Sequence, residues 1–127
     1  MAGKIVADQL EHSTAGSLDT QYVVNGSAKS WMNLNGTGTI ATRDTLNISS
    51  VTDNGTGIYT ANLSSSMSDA NYSIGFTQGG ANSVDIVKVY NASTVQTASL
   101  FKLLSLTSGF APVDSNYLYT SVHGDLA

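Results

Sequence analysis

Histidine is the side chain that most often moves protons or binds metals near neutral pH, and this chain has two, His12 and His123. Neither has a partner at i+2 to i+4 beyond isolated acids, whereas a zinc or iron site takes three or four placed ligands. They read as solvent-facing or interface histidines. Serine is so abundant that a Ser–His–Asp set can be assembled on paper, but no Gly-x-Ser-x-Gly elbow marks one. The nine acids are spread singly, so no carboxylate pair of the glycosidase kind is marked. Gly-Thr-Gly at 36–38 and 55–57 lacks the Lys and helix of a phosphate loop. Asp53 with Asp69 or Asp85 offers too few oxygens for calcium, at no EF-hand spacing. We expect no catalytic residue, no metal and no cofactor.

The aromatics hold more promise. Tyr22, Tyr59, Tyr72, Tyr90, Tyr117, Tyr119 and Trp31 sit among amides and hydroxyls, the mixture that lets a surface stack on a sugar's apolar face and bond its hydroxyls. Alternation with polar neighbours assigns Trp31, Tyr59 and Tyr72 to the core instead, their polar ends reaching partners. Tyr117 and Tyr119 share one face of a late strand and are the candidates for receptor or intersubunit contact. Seven Asn-x-Ser/Thr triplets, at Asn25, Asn35, Asn47, Asn54, Asn62, Asn71 and Asn91, have the form of glycosylation acceptors. They read better as polar pairs on outward strand faces, because no targeting segment precedes them.

The elements that must position these residues are strands. Trp31, Asn33 and Asn35 share one parity, Met32 and Leu34 the other; later Tyr59, Ala61 and Leu63 oppose Thr60 and Asn62. Alternation of this kind puts apolar groups on one face of a strand and polar groups on the other. Strands are expected at 28–35, 37–43, 45–52, 57–63, 71–78, 84–91, 94–104 and 115–123. A type I′ hairpin turn is expected at Asp53-Asn54-Gly55, since Asn-Gly supplies positive φ. The parity break between Ile48 and Val51 suggests a bulge near Ser49-Ser50. Further turns are read at Gln78-Gly79-Gly80-Ala81-Asn82 and Asn91-Ala92-Ser93, with longer loops at Ser64–Asp69 and Thr107–Asp114. Val95–Leu106 fits helical and strand spacing, and its β-branched residues favour strand. Many short strands at this spacing read as an all-β antiparallel sandwich, jelly-roll-like, over 28–127. Residues 1–27 lack lasting periodicity and read as an extended N-terminal arm, with a short strand at Lys4–Ala7 and one helical turn around Ala7–Glu11 as the local options.

Three segments also carry a resemblance. Lys29-Ser30-Trp31-Met32-Asn33-Leu34-Asn35-Gly36-Thr37-Gly38-Thr39 is the first. The second is the string Asn47-Ile48-Ser49-Ser50-Val51-Thr52-Asp53-Asn54-Gly55-Thr56-Gly57-Ile58-Tyr59-Thr60, and the third is Asp69-Ala70-Asn71-Tyr72. The block 29–72, about a third of the chain, resembles a module of tail-fibre-like and other virion proteins of tailed bacteriophages, marine ones especially. The resemblance implies a virion structural protein, made in the host cytoplasm: a fibre-like appendage or adaptor, or else a capsid decoration protein. It further implies a homotrimer, contacts with other virion proteins and contact with host-surface glycans. A free carbohydrate-binding module is the other alternative.

Composition agrees with an assembly protein and excludes other classes. Of 127 residues 41% are hydrophobic and 11% charged, against about 25% charged in typical soluble domains. Ser, Thr and Asn, about a third of the chain, fill the gap. A net charge of −4 with five scattered cations argues against nucleic acid, whose affinity comes from phosphate neutralisation. There is no Cys, hence no disulfide framework or thiolate metal site. No apolar run approaches a signal sequence's core or a membrane span, so we expect no membrane insertion.

Overall fold

Ser30-Trp31-Met32-Asn33-Leu34-Asn35 shows how this sequence makes sheet. Ser30, Met32 and Leu34 are buried while Trp31, Asn33 and Asn35 are half-buried on the reverse face, the two-residue period written into a strand. The same rule holds for Tyr117–His123, which buries Leu118, Thr120 and Val122; Ile58–Leu63, in mid-sheet, buries Tyr59, Ala61 and Leu63 and also Thr60 on the reverse face. A computed structural model describes residues 3–80, 86–89 and 96–127.

In chain order the elements are β1 (Gln9–His12), β2 (Gly16–Asp19), α1 (Thr20–Gly26), β3 (Ser30–Asn35), β4 (Ala41–Leu46), β5 (Ile48–Gly55) and β6 (Ile58–Leu63). They continue with β7 (Ser73–Gly79), β8 (Ile86–Val89), β9 (Gln96–Thr97), β10 (Leu100–Leu106) and β11 (Tyr117–His123). One antiparallel sheet runs β4-β3-β11-β7; the other runs β5-β6-β10-β8, with β9 also paired to β10. Met32, Leu34, Leu118 and Val122 from the first meet Tyr59, Ala61, Leu63, Phe101 and Leu103 from the second in a single core, joined by Met67 and Tyr72. The protein is therefore a small all-β sandwich. The sequence neighbours β3/β4 and β5/β6 pair directly within a sheet.

One residue carries the chain from sheet to sheet. Between β4 and β5 stands Asn47 alone, at φ +57°, a left-handed conformation that Asn tolerates better than most residues. Its Oδ1 accepts the Ser65 N–H at 2.6 Å and its Nδ2 donates to the Ser65 carbonyl at 3.0 Å. Inside the sandwich a ring of polar groups ties β7, β10 and the loop before β11. The Ser105 hydroxyl donates to Gln78 Oε1 at 3.0 Å, the Gln78 amide donates to Ser115 Oγ, and Ser115 Oγ lies 3.0 Å from Ser105 Oγ. With the Ser105 proton already committed to Gln78, the Ser115 hydroxyl is the donor in the last contact, and the ring closes with every member satisfied.

Several local expectations shift. The two-residue loop of the β5–β6 hairpin is Thr56-Gly57, since Gly55 pairs with Ile58. Asp53, Asn54 and Gly55 form the irregular end of β5 just ahead of that loop, and Thr56 is not at positive φ, so the turn is not type I′. The reason is tertiary: Gly57 takes φ +70° and lies against Ser105 and Val113, where a Cβ would sit 2.5 Å from the Ser105 carbonyl. The register does slip between Ile48 and Ser50, where a bulge was read. Of the stretch Val95–Leu106, the described part from Gln96 on is strand, broken at Ala98-Ser99 into β9 and β10. Asn91-Ala92-Ser93, Ala81-Asn82, Asp85, Tyr90 and Val95 lie outside the described residues.

Within the N-terminal segment the local elements differ from those expected. Lys4–Ala7 forms no strand, Ala7–Glu11 is not helical, and the helix lies at Thr20–Gly26 instead. β1 and β2 pair as a hairpin whose turn is held by His12: its Nδ1 accepts the N–H groups of Thr14 at 3.3 Å and Ala15 at 3.1 Å. Repeated hydrogen bonding across this turn, rather than apolar alternation, makes the strands. Sequence periodicity could not reveal that.

Candidate functional site

The outward face of the β4-β3-β11-β7 sheet gathers the side chains best suited to recognition. Cross-strand register sets them in rows. Leu46, Trp31, Ser121 and Gly75 form one row; Asp44, Asn33, Tyr119 and Thr77 form the next. In a third row Tyr117 stands opposite Gly79. The two glycines leave the β7 side low beside Ser121 and Tyr117. Trp31 therefore faces outward, against its assignment to the core; Tyr59 and Tyr72 are buried as expected. The parity of Trp31 with Asn33 and Asn35 carried this signal.

Tyr117 and Tyr119 are 38% and 39% exposed, and their rings stack at 6.1 Å between centroids and 13° between planes. Arg43 completes the group. The β3–β4 register slips between Asn33 and Leu34, leaving Arg43 as the extra residue, and its guanidinium lies 4.3 Å from the centre of the Tyr117 ring. The guanidinium donates to the Asn116 carbonyl and to Asn116 Oδ1 at 2.6 Å each, and to Asn33 Oδ1 at 3.3 Å. A cation held by this many acceptors is a fixed wall, and cation–π attraction fixes the Tyr117 ring beneath it. The side-chain entropy that binding would otherwise remove is thus already lost in the free protein. Sequence reading found both tyrosines and missed Arg43, because only the bulge directs it to this face.

Chemically the face can stack and hydrogen-bond. It offers aromatic planes, the Thr77 hydroxyl, the Asn33 amide and the Asp44 carboxylate, and it holds no acid–base pair. Among the described residues no group of three or more His, Cys, Asp or Glu is gathered as metal ligands. Of the acids singled out for calcium, Asp53 and Asp69 are occupied by their own turns. Asp53 accepts the Gly55 N–H at 2.9 Å, and Asp69 takes the Asn71 N–H at 2.7 Å and its side-chain amide at 2.9 Å. Those Asn71 bonds, backbone first, hold the exposed Asp69 carboxyl below its usual range.

The segments that carry the resemblance serve as structural parts of the sandwich. The Asp69–Asn71 turn delivers Tyr72 into the sandwich, where its hydroxyl contacts the Thr97 carbonyl at 2.9 Å and the Leu100 carbonyl at 2.8 Å. Burial pushes the Tyr72 phenol up to about 12. Tyr59 is fully buried, and its hydroxyl lies 3.0 Å from the Gly36 carbonyl and 2.9 Å from Asp114 Oδ1. Burial first, and then the Asp114 carboxylate, raise that phenol well above its ordinary value. Asp114 Oδ1 also receives the Gly57 N–H at 2.7 Å. Compared with protein-family models, curated proteins and solved structures, the chain matches none.

Proposed function

We propose that this protein is a structural component of a tailed-phage virion, a fibre-like appendage or adaptor that assembles as a homotrimer and meets the host surface. The observation that carries this reading is the resemblance of the segments within Lys29–Tyr72. They are long and specific enough to suggest a shared module, and they cooperate physically, Gly36 of the first with Tyr59 of the second. In this reading the Trp31–Tyr117–Tyr119 face supplies host contact. Its rigid aromatic rings and amide neighbours suit host-surface glycans, whose apolar ring faces stack while their hydroxyls bond. A charge content of only 11% favours contacts that salt screens weakly, unlike exposed ion pairs.

Two readings compete. A capsid decoration protein would have the same composition and the same sandwich. A free carbohydrate-binding module is favoured specifically by the stacked Tyr117 and Tyr119, and needs no assembly. Antibody raised to the purified chain and applied, with gold, to virions released from cells that express it separates the three. Label on tail appendages supports the proposal and label on heads supports decoration. Unlabelled virions, together with a saccharide-induced change in Trp31 fluorescence of the free chain, would leave the binding module.

A further inference from the structure

Arg43 is the chain's one arginine, and the way it is held leaves one of its edges free. Nη1 donates to the Asn116 carbonyl and to Asn33 Oδ1, and Nη2 donates to Asn116 Oδ1. A guanidinium carries five N–H groups. Among the described residues these three bonds leave over the Nε–H and the second Nη2–H. Those two lie side by side on one edge, the planar fork that meets a carboxylate with two parallel bonds. The three acceptors are neutral amide oxygens, so they fix the cation without cancelling its charge. Arg43 is also exposed. A placed, exposed cation with its fork unused, beside a row of aromatic rings, is complementary to a ring that bears an anion.

We infer that this face takes an acidic sugar: a ring carboxylate sits on the Arg43 fork, and neutral sugars of the same chain run from there along Tyr117, Tyr119 and Trp31. The inference rests on the glycan-contact reading of the face and narrows it to a substrate class. Register supplies the direction. Tyr117 and Tyr119 stack at 6.1 Å. Tyr119, opposite Asn33, is the diagonal neighbour of Trp31, opposite Ser121, a separation that aromatic side chains span. The aromatic strip therefore carries its cation at one end, 4.3 Å from the Tyr117 ring centre. Asp44 stands in the row of Tyr119. One of its oxygens accepts the Thr45 N–H at 2.9 Å, and the other is left for a sugar hydroxyl. Its charge disfavours a second anion next to the first, and the net charge of −4 acts the same way at longer range. The face thus selects isolated acidic sugars among neutral ones and rejects a uniform polyanion.

Two probes that differ only in the group on the sugar ring test it: methyl β-glucuronide, with a carboxylate, and methyl β-glucoside, with a hydroxymethyl group. The chain has one Trp and one Arg, so a nitrogen–proton spectrum of the isotope-labelled full chain gives one Trp31 indole signal and one Arg43 Nε–H signal. Near pH 6 the uronate is ionised. Both sugars should move the Trp31 signal, and only the glucuronide should move Arg43. The glucuronide should also bind about tenfold tighter, the size of one charge-assisted bidentate contact. Arg43→Gln keeps a donor for Asn116 without the charge, and should bind both sugars as wild type binds the glucoside. Should that variant lose the fold, Asp44→Asn replaces it: with the neighbouring anion gone, it should bind the glucuronide about threefold tighter and the glucoside unchanged. Equal affinities, with Trp31 moved by both sugars, would overturn the acidic-sugar inference and leave glycan contact standing. A Trp31 signal unmoved by either sugar would overturn both. Acetate acting on Arg43 as strongly as the glucuronide would mean an adventitious ion only, and would overturn the inference as well.

Discussion

Gly36 and Tyr59 are locked together across the sandwich: the Tyr59 hydroxyl lies 3.0 Å from the Gly36 carbonyl, and a Cβ at Gly36 would overlap the phenol oxygen. The glycine after β3 thus admits the tyrosine of β6. Replacing Gly36 with Ala should expel the phenol from its site and cost about 2–4 kcal/mol, as overpacking and a broken buried hydrogen bond combine. Tyr59→Phe keeps the packing and should cost about 1–3 kcal/mol through the acceptors left unpaired. Urea titrations of both variants give these values, and equal midpoints for Gly36→Ala and wild type would refute the lock.

The placement of the β5–β6 loop makes a ranked prediction. Gly55 has φ +127° but open space around its missing Cβ, whereas Gly57 has φ +70° with the Ser105 carbonyl and the Val113 backbone within 3 Å. Gly55→Val should therefore lose about 1–2 kcal/mol from strain alone. Gly57→Ala, facing both strain and collision, should lose more than Gly55→Val. Thermal melts of the pair decide the matter, and the reverse order would return the turn to Asn54-Gly55.

Alkali should find the fold's weak point. A phenol whose pKa folding raises contributes stability that is fully present below its unfolded value, about 10. That stability is lost as pH rises through the folded value. For Tyr72 this places the loss between about 10 and about 12, with Tyr59 acting in the same direction. Phenolate absorbance near 295 nm should show these two ionising only as the protein unfolds, and Tyr72→Phe should flatten the fall in melting temperature above pH 10. Ionisation of every tyrosine in the native state would contradict this.

Among the described residues, two buried hydroxyls inside the first sheet have no partner. Ser30 Oγ and Thr120 Oγ1 are buried without a hydrogen bond and lie diagonally across β3 and β11, Ser30 opposite Val122. Unsatisfied buried groups cost about 1–3 kcal/mol each. Thr120→Val, close to it in shape, should leave stability unchanged or raise it by about 1 kcal/mol. A calorimetric loss larger than that would mean the hydroxyl is satisfied by water.

Corner chemistry supplies the last prediction. Asn47→Ala removes both side-chain bonds to Ser65 and places a residue less suited to φ +57° between the sheets. A loss of about 2–3 kcal/mol is expected, from two hydrogen bonds and local strain. Asn47→Asp, keeping the acceptor, should recover part of it in the same denaturation assay.

By itself the sequence determined the fold class, the strands and most of their faces, since alternation at Met32–Leu34, Tyr59–Leu63 and Leu118–Val122 is a local code that burial obeys. It also marked Tyr117 and Tyr119 as neighbours on one outward face. Tertiary structure decided what depends on contacts distant in the chain. It moved the hairpin loop to Thr56-Gly57 because Ser105 and Val113 close over Gly57. It turned Trp31 outward because the Met32–Leu34 parity fills the core. It brought Arg43 over Tyr117 through a bulge. Local propensity fixes which side of a strand is apolar; only the packing of one sheet against the other fixes register, bulges and loops, because their energies come from groups tens of residues apart.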